Sequence, residues 1–187
     1  MRAPGSSRFA ALLIGLALVP SGARAAESAE AREQARLGER RSLGAGAEAC
    51  RAALALGIGP ERRPAIREQL ARQLVALEDW DALAELFRED VRLDPQSARS
   101  WQRLGLTLLF ALAQPADALG ALEEAVKLAP ADAEARLGLA QALLAAGRTA
   151  ESVGAFEAAL RLDAAALDGR PAARAAFEAA RRGAAWP

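Results

Sequence analysis

Residues 98–132 read ARSWQRLGLTLLFALAQPADALGALEEAVKLAPAD, and they decide the fold. Trp101, Leu104, Gly105 and Leu108 stand at the spacing W-x2-L-G-x2-L, which puts them along one side of a helix. After the turn Ala113-Gln114-Pro115, a second helical pattern carries Ala118, Leu122, Ala125 and Leu128 at intervals of four and three residues. Pro130 then stops it, because proline cannot continue the hydrogen-bond ladder. The stretch predicts two helices folded back on each other.

The same pattern recurs on both sides. Forward, Leu139, Ala140 and Leu143 take the first-helix positions, and Ser152, Phe156, Ala159 and Leu162 the second-helix ones. Backward, a unit beginning at Pro64 has Leu70, Ala71 and Leu74 in register, then Phe87, Leu93 and Pro95. Leu70, Leu104 and Leu139 are 34 and 35 residues apart; Phe87, Leu122 and Phe156 are 35 and 34 apart. A fixed period of this length marks a stacking unit. Small residues at Ala71, Gly105 and Ala140 let a neighbouring helix come within about 8–10 Å. Phe87, Leu122 and Phe156 fill the hole opposite, and Asp132 is placed to cap the helix that follows it.

This pattern resembles the tetratricopeptide repeat family over residues 64–164, in units 64–97, 98–132 and 133–166. Trp101, Leu104, Gly105, Ala118, Ala125 and Pro130 carry the resemblance most strongly. Leu83 and Asp90 depart from it, standing where the first unit should hold alanines, and Ala164 replaces the third unit's closing proline. The resemblance implies an all-α, right-handed solenoid of helix–turn–helix units with a concave surface made by the first helices. In family register that surface carries Glu68, Arg72 and Val75, then Arg99, Gln102, Leu106 and Leu109, then Glu134, Leu137, Gln141 and Leu144. A leucine floor with a few Arg, Glu and Gln groups suits an extended peptide or a partner helix. The family's lysine-and-asparagine grip on a C-terminal carboxylate is missing, since the chain has no Asn and its one Lys is Lys127. Arg72 and Arg99 remain as groups to hold an acidic side chain.

The flanks read differently. Residues 1–25, MRAPGSSRFAALLIGLALVPSGARA, have Arg2 and Arg8, an apolar run of 11 residues from Phe9 to Val19, and Ala23-Arg24-Ala25. That is the layout of a secretory signal peptide cleaved after Ala25, with an apolar run about half the length a membrane span needs. Export to the periplasm or beyond is the expectation, with no stable membrane span after cleavage. Losing Arg2, Arg8 and Arg24 leaves 21 basic residues against 24 acidic ones. Residues 26–63 read as a degenerate helical pair with a turn at Gly44–Gly46. Residues 165–187 read as a capping helix from Pro171 to Gly183 and a tail bearing Trp186.

Composition narrows both fold and chemistry. Of 187 residues, 51 are Ala and 29 Leu, while Val, Ile and Thr together number 10 and Tyr is absent. Such a chain favours helix throughout and cannot build a sizeable sheet. With no His, there is no imidazole acid–base or nucleophile-activating chemistry and no His metal ligand. A single cysteine, Cys50, excludes CxxC sites and intramolecular disulfides, and reads as a small buried hydrophobe. No catalytic, metal or cofactor residue stands out. The arginines, many four residues after a glutamate (Glu68–Arg72, Glu157–Arg161, Glu178–Arg182, with Glu123–Lys127 alike), read as exposed helix pairs. Charge and compartment speak against nucleic acid. The expected function is non-enzymatic protein interaction in a bacterial periplasm or envelope. The alternatives are an accessory subunit acting through self-association, and a small-ligand receptor or enzyme.

Overall fold

A computed structural model describes residues 21–57 and 59–183; most of the segment expected to be a signal peptide, at 1–20, and the end of the chain with Trp186 lie outside the described residues. The described residues form eight helices: α1 Ser21–Ala55, α2 Arg63–Leu77, α3 Trp80–Leu93, α4 Ala98–Phe110, α5 Pro115–Leu128, α6 Ala133–Ala145, α7 Thr149–Leu162 and α8 Pro171–Arg181. The pairs α2/α3, α4/α5 and α6/α7 are antiparallel hairpins stacked in sequence order, with α1 against α2 at one end and α8 against α6 and α7 at the other.

Local chemistry sets each boundary. The side chains of Asp79, Ser97 and Asp132 accept hydrogen bonds from the backbone N–H groups of Ala82 (3.2 Å), Ser100 (3.2 Å) and Glu134 (2.8 Å), so α3, α4 and α6 begin on side-chain caps. α3 and α5 end two residues before Pro95 and Pro130. Gly147 closes α6 with a left-handed φ of 78°, and Ala113 takes the same region (φ 52°) in the longer turn before Pro115.

The stacking rests on small residues opposite large ones. A Cβ on Gly105 would lie 2.5 Å from Leu122 Cγ, and one on Gly138 would lie 3.0 Å from both Leu106 and Leu122. Leu122, wholly buried, is thus the plug between α4, α5 and α6. In the next unit Phe156 is wholly buried and its ring centroid lies 5.1 Å from that of Phe177 on α8. Ser152, at the small-residue position of α7, donates to the Ala140 carbonyl at 2.7 Å. A second repeated device crosses the start of the first helices. Trp101 Nε1 donates to the Pro95 carbonyl, and Arg136 Nε to the Pro130 carbonyl, both at 2.9 Å and six residues back. Arg174 reaches Asp168, again six residues back.

Two expectations need correction. First, no turn occurs at Gly44–Gly46: α1 runs through both glycines, since an interior glycine costs a helix only about 1 kcal/mol. At Gly46 the missing side chain is used, because a Cβ there would meet Gln73 of α2 at 2.3 Å. Only the second half of α1 packs, through Ala47, Cys50 and Leu54, whereas residues 31–42 are exposed on every side. Second, of the anticipated Glu–Arg pairs only Glu178–Arg182 forms, at 3.8 Å. Glu68 instead crosses to Arg103 (2.8 Å) and Glu123 to Arg148 (3.5 Å), while Lys127 takes Glu124 (3.1 Å). A charge that reaches across to the neighbouring helix closes two elements against each other, which a pair along one helix does not. Arg67, 34 residues before Trp101, does not repeat its contact. Its guanidinium turns to Asp90, to Glu89 (3.0 Å) and to the Leu86 carbonyl (2.8 Å).

Candidate functional site

The first helices α2, α4 and α6 lie side by side and form the walls and floor of a concave groove. Two adjoining hollows open in it. The first, about 390 Å³, lies between α2 and α4 over α3, and has Glu68, Arg72, Val75 and Leu106 on its walls. Its base is Phe87, over whose ring the Arg103 guanidinium stacks at 4.4 Å while also holding Glu68. The second, about 300 Å³, lies between α4, α6 and the start of α8, and includes Leu106, Phe110, Glu134, Leu137 and Gln141. An ion pair between Arg170 and Glu134 closes its far end. Leu106 belongs to both and forms the saddle between them.

The eleven groove residues read from the sequence divide accordingly. Glu68, Arg72, Val75 and Leu106 meet in the first hollow; Leu106, Glu134, Leu137 and Gln141 meet in the second. Arg99 and Gln102 lie on α4 outside both, Arg99 exposed and Gln102 half-buried. Leu109 and Leu144 are core residues, 7% and 1% exposed, so neither forms open floor. Leu137 and Gln141 are also largely buried, and show the groove only an edge. The first helices are covered more completely toward the C-terminal end, where α8 takes the place of a further first helix.

Arg103, Phe110, Arg170 and Pro171 belong to the groove but were not read from the sequence. Arg103 occupies the register position that holds Gln69 one unit earlier and Gly138 one unit later, so no recurring residue type marked it. Phe110, 55% exposed, is displaced one residue beyond the family position at Leu109, because α4 ends there. Arg170 and Pro171 are the N-cap and first residue of the capping helix, which no repeat spacing locates.

The chemistry on this face is that of contact. Arg72 and Arg99 have no ion-pair or hydrogen-bond partner among the described residues, whereas Arg103 and Arg170 are engaged by Glu68 and Glu134. The one hydroxyl, on Thr107, donates back to the Arg103 carbonyl at 2.8 Å. Among the described residues there is no cluster of three or more His, Cys, Asp or Glu side chains able to hold a metal ion. Cys50 lies away from the groove, buried, with its Sγ 3.6 Å from Gln73 Oε1. No helix among the described residues is long and apolar enough to cross a membrane.

Residues 106–166, from the middle of α4 to just past α7, match the tetratricopeptide repeat family. The fold is a tetratricopeptide-repeat solenoid. It is similar to the TPR2B domain of yeast Sti1 in its pHsp70 complex, with a TM-score of 0.54 and 19% identity over 62% of this chain and 94% of that one. The TPR2AB domain of yeast Sti1 in its pHSP90 complex is similar over 88% of this chain and 57% of that one, with a TM-score of 0.56 and 19% identity. MamA RS-1, an ArsTM double mutant, is similar over 80% of this chain and 93% of that one, with a TM-score of 0.54 and 22% identity. No curated protein matches the chain in sequence. At these identities the structural likeness establishes the solenoid, and the groove's use has to be argued from its own residues.

Proposed function

We propose that this chain is a non-enzymatic interaction module that receives a peptide or a partner helix in its concave groove, working in a bacterial periplasm or cell envelope. The observation that carries the reading is the pair of adjoining hollows around Leu106, with Arg72 on the wall of one and Arg99 exposed further back on α4, neither arginine having a partner among the described residues. Apolar side chains of a bound segment find Val75, Leu106 and Phe110, which are half-buried or exposed. An acidic side chain finds Arg72 or Arg99, which have no ion-pair partner among the described residues. The Sti1 domains are seen in complexes with pHsp70 and pHSP90, which shows what the same solenoid does elsewhere.

Export is supported by the arginines, apolar run and small residues of segment 1–25. N-terminal sequencing of the protein recovered from cells checks it: a chain starting at Ala26 is expected. For the groove, affinity capture from envelope extract should compare wild type with an Arg72→Glu/Arg99→Glu/Leu106→Asp variant. The variant is expected to lose the captured partner while keeping its helical content. Identical partner sets would remove the groove from the account.

A further inference from the structure

A hollow of about 640 Å³ lies outside the groove. It lies between α1, α2 and α3, on the side of α2 that carries Arg67, Leu70 and Leu74. Those positions are turned more than a quarter of the way round the helix from Glu68, Arg72 and Val75 at about 100° per residue. The second unit has a smaller counterpart of about 490 Å³, with Trp101 on its wall beside Asp117, Gly120 and Ala121. In the first unit those positions hold Arg67, Ala82, Glu85 and Leu86. Arg67 is drawn inward to Asp90 and Glu89, so the first unit's hollow has a paired guanidinium on its wall where the second unit's has an indole.

The rim has an uncompensated sign. Its two acids are already engaged, Glu89 by Arg67 (3.0 Å) and Glu85 by Arg88 (2.6 Å). Arg63 and Arg92 have no partner among the described residues, and Arg51 holds only the exposed Glu48 (2.5 Å). Beside Arg92, Leu93 is 60% exposed at the mouth. The walls are helix flanks with their backbone groups already paired, so they offer an incoming chain side-chain contacts alone. A segment that satisfies its own backbone, a helix, fits such walls better than an extended strand.

We propose that this outer hollow is a second docking site, for an acidic amphipathic helix of a partner protein. Its apolar side chains lie over Leu54, Ala82 and Leu93, with only the edges of the buried Leu70, Leu74 and Leu86 beneath them, and its carboxylates meet Arg63 and Arg92. The site is separate from the groove and does not depend on the groove's use.

The test uses a fluorescein-labelled helical peptide with leucines at i, i+3, i+4 and i+7 and glutamates on both flanks, read by anisotropy against the full chain. Arg63→Glu/Arg92→Glu is expected to weaken binding about tenfold or more, and Leu93→Asp likewise, whereas Arg72→Glu/Arg99→Glu in the groove changes it less than about twofold. The same peptide with lysine for glutamate should not bind. Undiminished binding to Arg63→Glu/Arg92→Glu, loss only in the groove variant, or no binding to wild type would each overturn the proposal. So would a concentration-dependent dimer of wild type, seen by sedimentation and abolished by Arg63→Glu/Arg92→Glu, since the hollow would then belong to a second copy. Circular dichroism of each variant confirms that the substitutions, all at the surface, leave the solenoid folded.

Discussion

At Gly105 a methyl group would sit 2.5 Å from Leu122 Cγ and 3.2 Å from the Ala118 carbonyl, so neither α5 nor its plug has room to move. Gly105→Ala is therefore expected to cost about 1–3 kcal/mol by overpacking, although alanine favours helix. Gly154, with open space around its Cα on α7, is the control. Gly154→Ala should gain up to about 1 kcal/mol, and thermal melts of the two read the contrast. Gly105 stood out in the sequence because one position recurred as Ala, Gly, Ala. Gly46 did not, since it belongs to no repeat and its reason lies on Gln73 of another helix. Charge partners were the least legible feature. Glu68 has Arg72 one turn on and Arg103 35 residues on, and only the stacking of α2 beside α4 over Phe87 decides between them.

Charge also sets a pH response at this scale. The hydrogen bond from the Arg148 guanidinium holds the Glu151 carboxyl below its ordinary range, and in turn raises Arg148. A carboxyl with a lowered folded-state pKa stabilises the fold above its unfolded value and ceases to do so as pH falls through the folded one. The melting difference between wild type and Glu151→Gln should therefore be present near neutral pH and shrink in acid. A difference that grows in acid would contradict the assignment. Both groups are exposed, so the effect is small.

At the scale of elements, the hairpin α2/α3 is the most loosely packed of the three. Its departures from the repeat explain it. Leu83 replaces the small residue that lets helices close, and Asp90 brings a carboxylate to the position of Ala125 and Ala159, where Arg67 meets it. Their side chains are only 12% and 19% exposed, so removing one leaves a poorly hydrated charge. Asp90→Ala is expected to destabilise by about 1–3 kcal/mol, moderated because Arg67 keeps Glu89 and the Leu86 carbonyl. Arg67→Trp/Asp90→Ala restores the pattern of the second unit and should recover the stability lost by Asp90→Ala. Denaturant midpoints measure both. Failure of the double variant to recover would mean that Arg67 and Trp101 are not register equivalents. The sequence showed that Leu83 and Asp90 broke the pattern, but not that a hollow followed, because that needs the path of α1.

Over the whole molecule, a solenoid is held by neighbours touching neighbours, and each exposed end needs a cover. α8 covers one end: Ala173, Ala176 and Ala180 are buried with Phe177 against Phe156, while Arg174 and Glu178 face out. Phe156→Ala should cost about 3–5 kcal/mol, since the plug it forms has no other side chain to replace it. At the other end α1 lies against α2 with only half its length, leaving residues 31–42 standing clear. The period was legible because two helices per unit repeat the same apolar positions; the extent of α1 was not, because an exposed polar helix has no apolar face to give it a period.

The central claim is that partners meet this solenoid on the inner face of α2 and α4. Photocrosslinking in living cells tests it most directly, with a benzophenone amino acid placed at Leu106 in the groove or at Gly154 on the outside of α7. The account predicts a discrete crosslinked partner from position 106 and none from position 154. Equal crosslinking from both positions, or crosslinking from 154 alone, would contradict it.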